Sequence, residues 1–137
     1  MKKIVLAIGL TVSSIMANNI SVEITGMLNQ NGKISIGLYN KNDNTFSNIL
    51  KSYKGANVKI VGKKVTYTFK NIPDGTYAIA VIHDENRNKK LDKNFLGMPT
   101  EGYGFSNNIR PTFRAATFEE SKFEVNKDKM LTIKMGY

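Results

Sequence analysis

The chain is predicted to fold as an all-β protein, a single antiparallel β-sandwich of about seven strands with one long ordered loop. Three observations point there. Apolar and polar residues alternate in several separated runs, the period-two pattern of a half-buried strand. Gly, Asn, Asp and Pro gather between those runs, where turns need them. One run, TYAIAVIH over residues 76–83, is apolar at nearly every position, as a central strand covered on both faces requires.

In chain order, Ile20, Val22 and Ile24 alternate with Ser21, Glu23 and Thr25. Asn31-Gly32 follows as a hairpin signal, leading into Ile34, Ile36 and Leu38. Residues 46–53 form the one helical candidate, with Asp43 or Thr45 as its N-cap. Val58 and Ile60 begin a third strand, and Gly62-Lys63 turns the chain into Val65, Tyr67 and Phe69. Pro73-Asp74-Gly75 is a tight turn before the central strand. Phe123 and Val125 mark a sixth strand, and Leu131, Ile133 and Met135 a seventh. A small outer-membrane barrel is the structural alternative, but its strands need about 9–11 alternating residues. Most runs here are shorter and carry charges on their polar faces.

Residues 1–17, MKKIVLAIGLTVSSIMA, have the layout of an export signal. Lys2 and Lys3 are followed by an apolar stretch and a small residue, Ala17, at the cleavage point. The stretch is shorter than the roughly 20 apolar residues of a membrane span. The expected product is residues 18–137, one periplasmic or secreted domain with no transmembrane segment. The chain has no cysteine, so disulfides and a lipid-modified cysteine are excluded. Its formal charge is +9, yet Lys33, Lys41, Lys51, Lys54 and Lys59 are scattered singly along the sequence. That pattern fits a solvated basic surface better than a nucleic-acid interface.

After the central strand the alternation stops for roughly 35 residues, the length of a functional or internally organised loop. Asp84, Asn86, Asn88 and Asp92 fall at positions 1, 3, 5 and 9, with the Lys90 carbonyl at position 7. This is the ligand spacing of a helix-loop-helix calcium loop. Lys89 replaces the glycine of position 6, and Phe95 replaces the bidentate glutamate of position 12. Glu85 or Glu101 would have to complete the shell, and any calcium affinity should be low, on the order of 10⁻⁴–10⁻³ M. The alternative is an Asx-rich loop whose side chains bond their own backbone without metal. His83, the one histidine, Glu101, Tyr103, Phe105 and Asn107 are the ligand-contact candidates. Tyr103, Phe105 and Phe95 could form a platform for a peptide or saccharide, or fold back as a plug over the end of the core.

Four segments carry a family resemblance. They are PDGTYA (73–78), HDxNxNxxxD (83–92), GxPxEGYGFSN (97–107) and PxFxxAxF (111–118). Together they resemble an exported bacterial family known as domain of unknown function 2141, over essentially all of residues 18–137. PDGTYAIAV is also similar to the strand-turn of transthyretin-like and carboxypeptidase-regulatory-like sandwiches, which implies an immunoglobulin- or transthyretin-like fold and nothing about activity. Arg114 and Ala115 stand where the family pattern implies acidic residues, so no extra acidic ligand is expected from that segment.

The function these features suggest is a non-enzymatic binding or accessory module with a protein, peptide or saccharide partner. Two alternatives stand beside it. One is a hydrolase acting through His83 with Asp84 or Glu101, although no GxSxG, HExxH or cysteine nucleophile accompanies the histidine. The other is a purely structural envelope protein.

Overall fold

The computed structural model describes residues 17–94 and 99–137. The remainder of the export-signal candidate, residues 1–16, lies outside the described residues, as does Phe95. Among the described residues eight strands form two sheets: β1 (Ala17–Thr25), β2 (Lys33–Tyr39), β3 (Lys54–Lys59), β4 (Lys64–Pro73), β5 (Gly75–Asp84), β6 (Tyr103–Phe105), β7 (Phe123–Val125) and β8 (Lys129–Lys134). A three-stranded sheet has the order β4-β1-β8, and the second sheet runs β3-β2-β5-β6, with β7 also on β5. The two pack face to face without closing into a barrel. The all-β sandwich is as expected.

The alternation seen in the sequence builds the core directly. Ile20, Val22 and Ile24 of β1, Val65 and Phe69 of β4 and Ile133 of β8 face one way, all buried. Ile34, Ile36 and Leu38 of β2 meet them from the other sheet, together with Ile79 and Val81 of β5. Each such side chain stabilises the fold by about 1.5–3 kcal/mol through removal of apolar surface from water. Register against β1 slips once in β4, where Ile20 pairs Phe69 but Asn18 pairs Ile72. Asn71, at φ 59°, takes up the extra residue of that bulge.

Several sequence expectations are corrected. Asn31-Gly32 does not close a hairpin, because β1 and β2 belong to different sheets. It is a crossover, and Gly32 has φ 63° with its Cα against the backbone of Asp84 and Glu85. A Cβ there would collide with the Asp84 carbonyl, so the glycine serves a close approach as well as a turn. The sandwich is not purely antiparallel, since β1 and β8 pair in parallel, Ile20 opposite Lys129 and Thr25 opposite Lys134. The helical candidate shrinks to a 3-10 turn at Ile49–Lys51 capped by Asn48, whose side chain accepts from the Leu50 amide at 3.1 Å. Asp43 caps a separate turn through the Thr45 amide at 2.9 Å. A helical turn that the sequence reading missed, α1 (Phe118–Ser121), has a full capping box between Thr117 and Glu120.

The central strand is β5, and every residue from Tyr77 to Asp84 is buried. Its inner face gives Tyr77, Ile79, Val81 and His83 to the core between the sheets. Its outer face carries Ala78, Ala80, Ile82 and Asp84. A second cluster covers part of that outer face: Tyr39, Ala78, Ala80, Phe105, Ala116 and Phe118, with Phe46 among them. The Phe46 ring lies 5.1 Å from Tyr39 and 5.9 Å from Phe118, centroid to centroid, both edge-on. Two alanines on β5 leave the space those rings fill.

Candidate functional site

β6 is the strand hidden inside the long loop. Ala80 pairs Phe105 and Ile82 pairs Tyr103, so period two places all four side chains on the outer face of the second sheet. The two aromatics thus extend a sheet and do not plug the end of the core. Arg110 lies over the Tyr103 ring, its guanidinium carbon 4.1 Å from the centroid, and donates to the Tyr103 carbonyl at 3.0 Å. Beyond β6, Ser106 accepts from the Ile79 amide at 2.9 Å and donates to the Ser121 carbonyl at 2.5 Å. Asn107 donates to the carbonyls of Glu120 (3.2 Å) and Lys122 (2.9 Å). Asn108 bridges to Thr132 and Lys134 of β8. The polar run after Phe105 is therefore a stitch holding β6, α1 and β8 together.

The Asx loop is organised around two carboxylates. Asp84, buried at the end of β5, accepts from the amides of Asn88 (3.1 Å) and Lys89 (2.8 Å). Those bonds hold Arg87 and Lys89 at φ 60° and 64°, left-handed conformations that a glycine would adopt more readily. Glu101, 5% exposed, accepts from the Glu85 amide at 2.7 Å with one oxygen and from the Asp92 amide at 3.0 Å with the other. It clamps both ends of the loop. Asp92 receives the side-chain amides of Asn86 and Asn88 on its two oxygens. Hydrogen bonds from Asn88 above all hold the Asp92 carboxyl below its ordinary range. Burial pushes Glu101 up, and the neighbouring Asp92 carboxylate adds to that rise.

His83 is fully buried on the inner face. Nδ1 sits 2.5 Å from the Tyr137 hydroxyl and Nε2 2.7 Å from the Asn31 carbonyl. Both ring nitrogens are thus engaged, and Asp84 points to the opposite face of the strand. The backbone oxygen the ring meets belongs to the 29–32 turn and not to the long loop.

Between the Asx loop and the segments 47–50 and 112–115 lies an open groove of about 530 Å³. Ala80, Ile82, Tyr103 and Phe105 form its floor. Leu91, Pro99 and Phe113 add apolar wall, with Phe113 90% exposed. Lys89, Lys90 and Lys93 line it from the Asx-loop side. None of the three forms a salt bridge among the described residues, whereas Arg114, also lining, is held by Glu120 at 2.5 and 3.2 Å. Of the sequence candidates, the groove brings together Tyr103, Phe105 and the Lys90 position. His83 and Asn107 lie elsewhere, and Asp84, Asn86, Asn88, Asp92 and Glu101 build the wall behind it. Sequence reasoning missed Ala80, Ile82 and Phe113, and gave the charges of Lys89, Lys90 and Lys93 no ligand-binding role. The signal for such a role was three lysines within five residues.

A family model described as an uncharacterized protein conserved in bacteria, DUF2141, matches residues 22–134. The chain belongs to the DUF2141 family. The match runs from within β1 to the end of β8, so the groove and all but the start of the sandwich of this DUF2141 protein lie inside it. No curated protein and no solved structure matches the chain. Among the described residues no helix is long and apolar enough to cross a membrane.

Proposed function

We infer that this DUF2141 protein is an exported, non-enzymatic binding module that holds its ligand in the groove on the outer face of the second sheet. One observation carries the reading. The groove's size falls in the range of about 300–1,000 Å³ typical of ligand sites, and it combines an apolar floor with a few charged side chains. The floor is built on the paired strands β5 and β6, and the wall is cross-braced by Asp84, Asp92 and Glu101. A preformed site of this kind loses little conformational entropy on binding. The hydrolase alternative draws less support, because His83 faces the core with both nitrogens occupied. A catalytic base must reach its substrate.

The test is a titration followed by backbone amide NMR, with soluble saccharides, short peptides and amphiphiles as ligands. Binding in the groove shifts residues 80–82, 89–93, 103–105 and 112–115, and changing the exposed lining residues in Leu50→Gln/Phe113→Gln weakens or abolishes those shifts. Shifts confined to other surfaces, or none with any ligand class, refute the reading.

A second reading concerns calcium at Asp84, Asn86, Asn88, Lys90 and Asp92. It is favoured by the convergence of both asparagine amides on the Asp92 carboxylate. Their side-chain oxygens accept from the amides of Asn88 (3.2 Å) and Lys90 (3.1 Å), so a hard cation would have to displace those bonds to be ligated by them. Only three side chains meet there, and Asp84 is occupied by backbone amides, so the affinity should be low.

A further inference from the structure

Resting on the groove reading above, we propose that the ligand is a single-chain amphiphile with an anionic head, of the fatty-carboxylate class. The hydrocarbon chain lies along Ala80, Ile82, Tyr103 and Phe105, and the head group meets Lys89, Lys90 and Lys93.

Charge complementarity selects this occupant. The three lysines come from one wall, are exposed, and make no salt bridge among the described residues. The opposite wall offers Ile49, Leu50 and Phe113, with Leu50 72% and Phe113 90% exposed. Arg114 adds no free charge on that side, being paired with Glu120. Charge at one side and apolar surface at the other is the polarity of an amphiphile. A peptide occupant is disfavoured by the floor. β5 has both edges paired, by β2 on one side and by β6 and β7 on the other. β6 in turn exchanges two backbone bonds of 3.0 Å with Gly136. Among the described residues the groove thus presents side chains and no free strand edge on which a peptide could add. A saccharide would leave the apolar floor facing hydroxyls, whose burial without partners is costly.

The experiment uses the purified full chain delipidated on a hydrophobic resin. Dodecanoate, dodecanol and dodecylammonium compete for a fluorescent fatty-acid probe. Dodecanoate is expected to bind at one equivalent, with dodecanol about tenfold weaker, a difference of 1.4 kcal/mol, and dodecylammonium weaker still. Lys89→Gln combined with Lys90→Gln and Lys93→Gln should bring dodecanoate to the level of dodecanol while leaving dodecanol unchanged. Raising salt should weaken dodecanoate alone, since exposed charges are screened over about 10 Å at 0.1 M. Equal affinity for the three head groups, with binding lost when the exposed lining residues are changed in Leu50→Gln/Phe113→Gln, would overturn the anionic assignment and leave the groove as a site. Probe binding unaffected by Leu50→Gln/Phe113→Gln, or no probe binding, would overturn the amphiphile. The NMR titration with saccharides and peptides then decides separately whether the groove binds anything.

Discussion

His83 and Tyr39 are both buried polar side chains of the second sheet, and they differ in what their polar atoms meet. The imidazole has a partner at each nitrogen. The Tyr39 hydroxyl lies beside Gly37 with no partner among the described residues, and burial pushes its pKa well up. His83→Ala should therefore lower stability by about 1–3 kcal/mol, the cost of stranding buried polar groups. His83→Gln, with both a donor and an acceptor, should recover part of the loss. Tyr39→Phe should be neutral or stabilising, because it removes a hydroxyl that gains nothing on folding. Urea denaturation of the three variants checks all of this, and a strongly destabilised Tyr39→Phe would show that the hydroxyl has a partner after all. The sequence made the burial of His83 legible, since it ends the apolar run. Tyr137 and Asn31 were not legible as its partners, because both lie more than fifty residues away in the chain.

At the scale of elements, the Asx loop and the α1 capping box give separate tests. Glu101 bonds two amides of the loop with two oxygens, and a glutamine can accept at only one of them. Glu101→Gln should lower stability by about 1–3 kcal/mol and raise amide exchange at residues 85–92. If calcium binds the Asp84–Asp92 set, a concentration ten times the dissociation constant should stabilise the fold by about 1.4 kcal/mol. A melting temperature unmoved by millimolar calcium, in wild type and in Asp92→Ala alike, leaves the hydrogen-bonded loop alone. Glu120 titrates separately. Its carboxylate is pulled down to about 2, first by Arg114 and then by the Thr117 amide. A depressed folded-state pKa means that its contribution is complete above the ordinary glutamate range and is lost as pH falls toward 2. NMR titration of the Glu120 carboxyl should show the low midpoint, and Arg114→Ala should return it toward the ordinary value.

The strands that alternate were readable because one face of each is buried, and alternation records that burial. β6 was not. It is three residues long, Tyr103–Phe105, and its middle residue is Gly104, so no period can be counted. Crossovers such as Asn31-Gly32 share their turn chemistry with hairpins, so sheet membership was hidden in residues far along the chain. The groove was hidden for the same reason, its floor and walls coming from five separate segments.

At the scale of the molecule, cleavage after Ala17 is compatible with the sandwich. The Ala17 side chain is exposed, whereas Asn18 is 3% exposed and donates to the Ile72 carbonyl at 3.1 Å and to Asp74 at 2.7 Å. Protein isolated from the cell envelope should begin at Asn18, and an intact mass retaining residues 1–17 would refute the export reading. The last consequence concerns time. β1 is the middle of its sheet, and its partner β8 lies about as far along the chain as Asn19 is from Asp128, which it contacts across 109 residues. Until that stretch has been made, Ile20, Val22 and Ile24 have β4 on one side and nothing on the other. Closing so long a loop is slow, and sheets built this way fold in milliseconds to seconds. Removing residues 129–137 should leave a chain without cooperative unfolding by circular dichroism. A nascent chain in that condition stays extensible, the state in which a polypeptide can be threaded through a membrane pore.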